Sequence, residues 1–185
     1  MKSLRTFLRR HTFGQLFAYW LDQIAGITVR WIPGYTGFVL RTLWYKLTFR
    51  SLRGIALVLP NVVIEHSYGM AVGRNFRVNY GCYFDARGGI TFGDDVLIGP
   101  QCVIVSSSHD TTAKSIHDGP RALIPPTLGA VSVGHNVWLG AHVTVIGECL
   151  IGNNSIIAAG AVVVDDIPEN CVAGGTPARV LRRIE

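Results

Sequence analysis

Residues 133–168 read VGHNVW LGAHVT VIGECL IGNNSI IAAGAV VVDDIP, six successive hexapeptides. An aliphatic residue opens each one, at Val133, Leu139, Val145, Ile151, Ile157 and Val163. Four residues further on stand Val137, Val143, Cys149, Ser155, Ala161 and Ile167, all small or aliphatic. The spacing also occurs earlier, at Val72, Val78 and Phe84 and again at Phe92, Ile98 and Ile104. A hexapeptide period signals a parallel β-helix, in which each repeat buries its apolar side only against its neighbours. Three hexapeptides close one triangular coil, so residues eighteen apart should stack: Val133 on Ile151, Leu139 on Ile157, Val145 on Val163. Phe92, Ile98 and Ile104 lie over Val72, Val78 and Phe84 at a spacing of twenty, with a two-residue expansion around Gly88-Gly89. Glycine follows the aliphatic residue at Gly73, Gly93, Gly99, Gly134, Gly140 and Gly152, and Asn or Asp follows closely at Asn75, Asp94, Asp95, Asn136, Asn153 and Asn154. Both types tolerate the positive φ of a sharp corner, which assigns the corners to them.

The rest of the chain divides around this core. At 185 residues it can bury one sizeable core. Its charge is uneven: residues 1–55 hold nine Lys/Arg against Asp22, a balance of +8, while residues 56–185 hold eight Lys/Arg against eleven acids, a balance of −3. The expected layout is a basic, aromatic, helical extension over 1–54, a β-helix over 55–168 with an inserted loop at 105–132, and a C-terminal tail over 169–185. In the extension Phe13, Leu16, Phe17, Trp20 and Leu21 have helical spacing, and after Pro33-Gly34 come Phe38, Val39, Leu43, Trp44 and Leu47 among Arg41, Lys46 and Arg50. No run reaches the roughly 18 apolar residues of a spanning helix, and no compact apolar stretch ends in a small-residue cleavage site. Basic helices rich in Trp and Phe suit an anionic membrane surface. They equally suit a cap on the first coil or on a neighbouring subunit. Aliphatic residues interrupt the aromatics too often for a nucleic-acid stacking platform.

Cys82, Cys102 and Cys149 fall at inward positions and no CxxC occurs, so the cysteines read as core thiols of a cytoplasmic protein. The rhythm breaks between Ile104 and Val131 at VSSSHDTTAKSIHDGPRALIPPTLGA. A solenoid insertion maps to a loop on one face, often the functional face. His109 stands at its start, in Ser106-Ser107-Ser108-His109-Asp110, over the corner Asp85–Ile90. Asn79, Asp85, Arg87, His109 and Asp110 are therefore expected in one polar neighbourhood.

The stretches VGRNFRVNYGCYFDARGGITFGDDVLIGPQCVIVSSSHD and VSVGHNVWLGAHVTVIGECLIGNNSIIAAGAVVVDDIPENCVAGGTPARVLRRI resemble the hexapeptide-repeat acyltransferases. Within them they are similar to the maltose, galactoside and nodulation O-acetyltransferases and the colanic-acid type exopolysaccharide acetyltransferases. The resemblance covers roughly residues 60–184. It implies a left-handed β-helix, a homotrimer with sites between adjacent subunits, and acetyl-CoA as donor without a metal. It implies that His109 is the general base and that the Ala141 N–H, after Gly140, meets the oxyanion. Asn79 matches the family's acceptor Asn. The family's acceptor acid aligns with Arg87, with Asp85 two positions earlier, which departs from a simple galactoside or maltose site. By the same resemblance coenzyme A lies along Ala141, Ala159 and Val164 beside Trp138, and Arg179, Arg182 and Arg183 can meet its phosphates. Asp165 replaces the family's usual basic residue.

A neutral imidazole with a pKa near 6.5 is a usable base at about pH 7. No side chain here looks like an activated nucleophile, so transfer should be direct. A zinc enzyme of this fold would need three histidines across subunits, and His135 and His142 sit on adjacent faces without stacking. The expected function is acetyl transfer to a sugar hydroxyl in surface polysaccharide or lipid-linked oligosaccharide, in the cytoplasm or on the inner membrane face. Serine, a xenobiotic, or a non-catalytic scaffold are the alternatives.

Overall fold

The structure is a computed structural model and describes residues 13–108 and 127–185. Two helices, α1 (Phe13–Trp31) and α2 (Gly34–Thr48), precede a parallel β-helix. Its first face stacks β1 (Ser51–Leu52), β4 (Met70–Val72), β7 (Ile90–Phe92), β12 (Val131–Val133) and β15 (Cys149–Ile151). The second face stacks β2 (Ala56–Val58), β5 (Phe76–Val78), β8 (Leu97–Ile98), β13 (Trp138–Leu139), β16 (Ile156–Ile157) and β18 (Cys171–Gly175). The third stacks β3 (Val63–Glu65), β6 (Tyr83–Asp85), β9 (Val103–Val105), β14 (Thr144–Ile146) and β17 (Val162–Val163).

The expected register is observed. Val133 pairs with Ile151, Leu139 with Ile157 and Val145 with Val163, and Val72, Val78 and Phe84 pair with Phe92, Ile98 and Ile104. These side chains point inward and are buried, with Cys82, Cys102, Cys149 and Cys171 among them as free thiols. In the early coils Phe76 and Phe84 close on Phe92, with ring centroids 4.8 and 6.1 Å apart. Ser155 is the polar exception in its column, and its hydroxyl donates to Pro168 O at 2.9 Å.

The corners are built differently from the expectation. Positive φ falls on Asn75, Asp95, Asn136 and Asn154, as the residue types suggested, and their side chains bond along the stack: Asn75 to Asp95 at 2.7 Å, Asn136 to Asn154 at 3.1 Å. The glycines that precede them do not have positive φ. Their requirement is space: a Cβ on Gly93 would sit 2.7 Å from the Gly134 carbonyl carbon, and one on Gly140 2.6 Å from Ala159 N. Successive coils approach too closely there for any side chain.

The helices close the solenoid. Arg41, 2% exposed, donates from Nε to Val58 O at 2.8 Å and from Nη1 to Ile32 O at 2.7 Å and Val29 O at 3.2 Å. Thr42 Oγ1 donates to Ala56 O at 3.1 Å. Both use carbonyls on the outer edge of β2, the end strand of its sheet, where an uncovered edge would invite another chain. At the other end, residues expected as a tail form a hairpin: β18 pairs with β16 and turns at Gly175 into antiparallel β19 (Ala178–Arg183).

Candidate active site

The insertion is rooted at the corner between the third and first faces. Ser107 and Ser108 form β10, antiparallel to β11 (Thr127–Leu128), and this pair is the stem of the inserted segment. His109 and Asp110 lie outside the described residues. Beneath the stem the corners are enlarged. From Phe84 to Ile90, and from Ile64 to Met70 through the 3-10 turn Ser67–Gly69, the chain takes two residues more than from Val145 to Cys149.

Asp85 occupies the centre of this corner and is 7% exposed. Its Oδ1 accepts from His66 Nδ1 at 2.9 Å and from Arg87 N at 3.1 Å, and its Oδ2 accepts from Ser107 Oγ at 3.1 Å. An ionised carboxylate only accepts, so the His66 proton on this side is on Nδ1. The adjoining Ser106 hydroxyl donates to Asp85 O at 2.7 Å and accepts from Gly88 N at 2.8 Å. Burial raises the Asp85 pKa, but the hydrogen bond and charge of His66, with the charge and N–H of Arg87, outweigh it and leave the carboxyl below its usual value. Burial and then the Glu65 carboxylate push the Tyr83 phenol on the same face up to about 12. Ligand-type atoms of Glu65, His66 and Asp85 lie within 4.8 Å of one another. Both Asp85 oxygens are already engaged and Arg87 adds positive charge, so the arrangement suits a hydrogen-bonded stack better than a cation.

The described residues expected in one neighbourhood lie at two corners. Asp85 and Arg87 share the third–first corner, and Arg87 reaches solvent. Asn79 sits at the second–third corner, with its Nδ2 donating to Ile98 O at 3.1 Å. Strand β6 runs from one corner to the other and ends at Asp85.

Asn79 instead shares its corner with the expected coenzyme positions. The backbone contacts climb from Asn79 N to Ile98 O, Gly99 N to Leu139 O and Gly140 N to Ile157 O. Ala141 stacks under Ala159 in the eighteen-residue register, and the next N–H, of Gly160, donates to Ala141 O at 2.8 Å. The flanking N–H groups of Gly140 and His142 go to Ile157 O and Pro100 O, whereas no carbonyl among the described residues accepts the Ala141 N–H. Trp138, half exposed, stands on the second face just before this corner, between Leu97 and Ile156. Ala159 is exposed beside Ala141, and Val164 is exposed at the far end of β17. There Arg179 Nη1 meets Asp165 Oδ2 at 2.9 Å, with both side chains largely in solvent. Arg183 Nη1 donates to Glu169 O at 3.1 Å, and Arg182 lies across the hairpin from Val172.

The spacing of histidines did not bring out His66. The signal available was the pairing of coils twenty residues apart, which sets Glu65 beside Asp85 and places His66 next to both.

Residues 130–165 match the family model of bacterial transferase hexapeptide (six repeats). The chain is 34% identical over 139 residues to galactoside O-acetyltransferase of Escherichia coli (strain K12), covering 75% of this chain and 66% of that protein. It is also 34% identical over 126 residues to a putative acetyltransferase of Schizosaccharomyces pombe, covering 58% of that protein. The chain thus spans less than two thirds of these curated relatives. Among solved structures, a maltose O-acetyltransferase from Clostridium difficile 630 is 30% identical with a TM-score of 0.81, covering 94% of this chain and 90% of that one. A galactoside acetyltransferase in complex with coenzyme A is 28% identical with a TM-score of 0.83, covering 94% of this chain and 84% of that one.

Proposed function

The chain belongs to the hexapeptide-repeat acetyltransferase family, and on that premise we propose that it is an acetyl-CoA-dependent O-acetyltransferase acting on a sugar hydroxyl. The observation that carries this is its likeness, over 94% of its length, to an acetyltransferase solved with coenzyme A. His109 takes the proton of the acceptor hydroxyl as that oxygen attacks the thioester carbonyl carbon. The Ala141 N–H, without an intrachain carbonyl among the described residues, donates to the oxyanion that forms. Collapse expels the coenzyme A thiolate, which takes the proton from the imidazolium. The small residues Gly140, Ala141 and Ala159 leave the corner open to a pantetheine arm.

The site is completed by a second copy of the chain. Asn79 and the coenzyme corner lie on one edge of the prism, and the insertion bearing His109 is rooted on another. A homotrimer that sets one edge of each subunit against the other edge of the next unites them. The outer side of the second face supports this, with Leu97 and Trp138 adjacent and exposed, and Arg77 between Leu97 and Leu57.

The helices support placement on an anionic membrane surface as well as the cap. On α1, Phe17, Trp20, Ile24, Ile27 and Trp31 form an exposed stripe, and α2 adds Tyr35, Val39, Leu43 and Leu47 beside Lys46. No described helix is long and apolar enough to cross a membrane. This location suits an acceptor in surface polysaccharide or lipid-linked oligosaccharide.

The test is His109→Ala. Trimer and acetyl-CoA affinity should persist while transfer falls by about 10²–10⁴-fold. Transfer near the wild-type rate would remove His109 as the base.

A further inference from the structure

The hydrogen-bonded stack at the third–first corner is left unused by the reaction above. Its centre, Asp85, belongs to a column of outward positions that runs Glu65, Asp85, Val105, Ile146. The two later coils carry apolar residues at this register, so the fold itself does not require a carboxylate there. A turn residue would need only the bond from Arg87 N, which a neutral Asn could also accept. Asp85 goes further: its second oxygen binds the coil above through Ser107, and its first binds the coil below through His66. Burying a charge in this way is costly unless each oxygen is satisfied by good partners. The place where that cost is met is the root of the inserted segment, two residues before His109.

Backbone contacts make the root rigid from both sides. Ser106 N donates to Asp85 O at 3.0 Å and Gly129 N to Ser106 O at 3.1 Å, so the outgoing and returning strands of the insertion share one anchor. Gly88 packs against it so closely that a Cβ would collide with Ser106 O. His66 is equally constrained, 4% exposed and in the left-handed region at φ 55°. Asp85 is therefore held from below by a residue that cannot swing away, and it holds the residue that leads into the insertion.

We propose that Asp85, braced by His66, is a positioning residue for the base: through Ser107 it fixes the direction in which the chain leaves the coil toward His109. The proposal rests on the acetyltransferase reading with His109 as base. It assigns Asp85 to support of the loop rather than to contact with the acceptor, which leaves Arg87 as an exposed charged group that this corner offers to a ligand.

The test uses full-length protein with Asp85→Asn, Ser107→Ala and Ser107→Thr. Two readouts are taken: acetyl transfer resolved into kcat and KM for acetyl-CoA, and the His109 imidazole resonance, assigned by its loss in His109→Ala. A misplaced reacting group can cost about a hundredfold, so Asp85→Asn and Ser107→Ala should lower kcat by about 10–100-fold. The KM for acetyl-CoA should stay within about twofold. Ser107→Thr, which keeps the hydroxyl, should restore kcat, and the His109 resonance should shift or split in the first two variants alone. Wild-type kcat and an unchanged His109 resonance in Asp85→Asn would overturn the proposal. If the wild type transfers no acetyl group while the resonance still responds to Asp85→Asn, the acetyltransferase reading fails and the coupling of Asp85 to His109 stands. If transfer is found and neither readout moves, the coupling fails and the reading stands.

Discussion

Replacing Arg41 tests whether the helices are part of the β-helix or an attachment to it. The guanidinium is buried and donates to three carbonyls: Val58 O on the end strand, and Val29 O and Ile32 O at the end of α1. The last carbonyls of a helix have no partner within it, and a cation there also meets the negative end of its dipole. Hydrogen bonds from a charged group contribute about 1.5–3 kcal/mol each. Against this stands desolvation, which lowers the Arg41 pKa and makes the buried charge less favourable. Arg41→Ala relieves that desolvation but leaves three carbonyls without a donor, and a net loss of about 3 kcal/mol follows. For a chain of this size about 1 kcal/mol moves Tm by 2–4 °C, so a fall of about 6–12 °C is expected. Arg41→Lys keeps the charge, yet one ammonium cannot reproduce the planar fork that spans β2 and α1, and about half the loss should remain. Thermal melts followed by circular dichroism report the coils. Tryptophan fluorescence reports the helices, because Trp20, Trp31 and Trp44 lie there and Trp138 alone lies in a coil. Coincident transitions, both lowered, are the expected result. An Arg41→Ala protein melting within about 1 °C of wild type would refute the reasoning.

Gly140→Ala should cost about 1–3 kcal/mol by overpacking and should also weaken acetyl-CoA binding in calorimetry. Gly93→Ala, whose Cβ meets the Gly134 backbone at 2.7 Å, should cost stability alone, and equal loss of binding in both would exclude a special role for the Gly140 corner. Asp85 has a folded pKa below its unfolded value of about 3.9, so its stabilisation is present above that value and lost as pH falls through the folded pKa. The Tm gap between wild type and Asp85→Asn should therefore narrow from about pH 6 to about pH 3, and a constant gap would contradict the assignment. Trp20→Glu with Trp31→Glu changes side chains that are 55% and 62% exposed, so it should abolish sedimentation with anionic vesicles at unchanged Tm. Undiminished sedimentation would leave the helices as a cap only.

The inward columns, the eighteen-residue stack and the Asn/Asp corners were legible because each follows from one residue's own preference: apolar side chains go inside, and Asn and Asp accept positive φ. What was not legible depends on a second coil. Gly73 and Gly93 look like turn glycines in one dimension, and only the neighbouring backbone at van der Waals distance shows that they are there for close approach. Arg41 sits in a basic stretch and reads as a surface charge until the edge carbonyls it binds are in view. The stacking count grouped Asn79, on the adjoining face, with Asp85, yet the extended run of β6 carries the chain from one edge of the prism to the next. The hairpin after Pro168 escaped because the hexapeptide count ends there, while Val172 and Ala173 continue the stack on Ile156 and Ile157 at a shortened spacing.

The spacing of the coils explains why the polar stack is where it is. Coils before the insertion repeat every twenty residues, as in Ala56 on Phe76 and Val63 on Tyr83, whereas those after it repeat every eighteen and the last at sixteen. The two additional residues fall at the third–first corner, at His66–Gly69 and at Ala86–Gly89. A corner of the shorter kind, Ile146 to Glu148, turns too tightly to shelter side chains from water. The longer corner makes a recess in which His66, Asp85 and Ser106 can be buried and still find partners. Buried polar groups persist only when they are fully bonded, and a fully bonded set has one arrangement. The enlarged corners thus supply a rigid platform, and the insertion begins on top of it. The later, tighter coils leave small residues at another edge, Gly140, Ala141 and Ala159, where a thin ligand such as a pantetheine arm can approach the main chain.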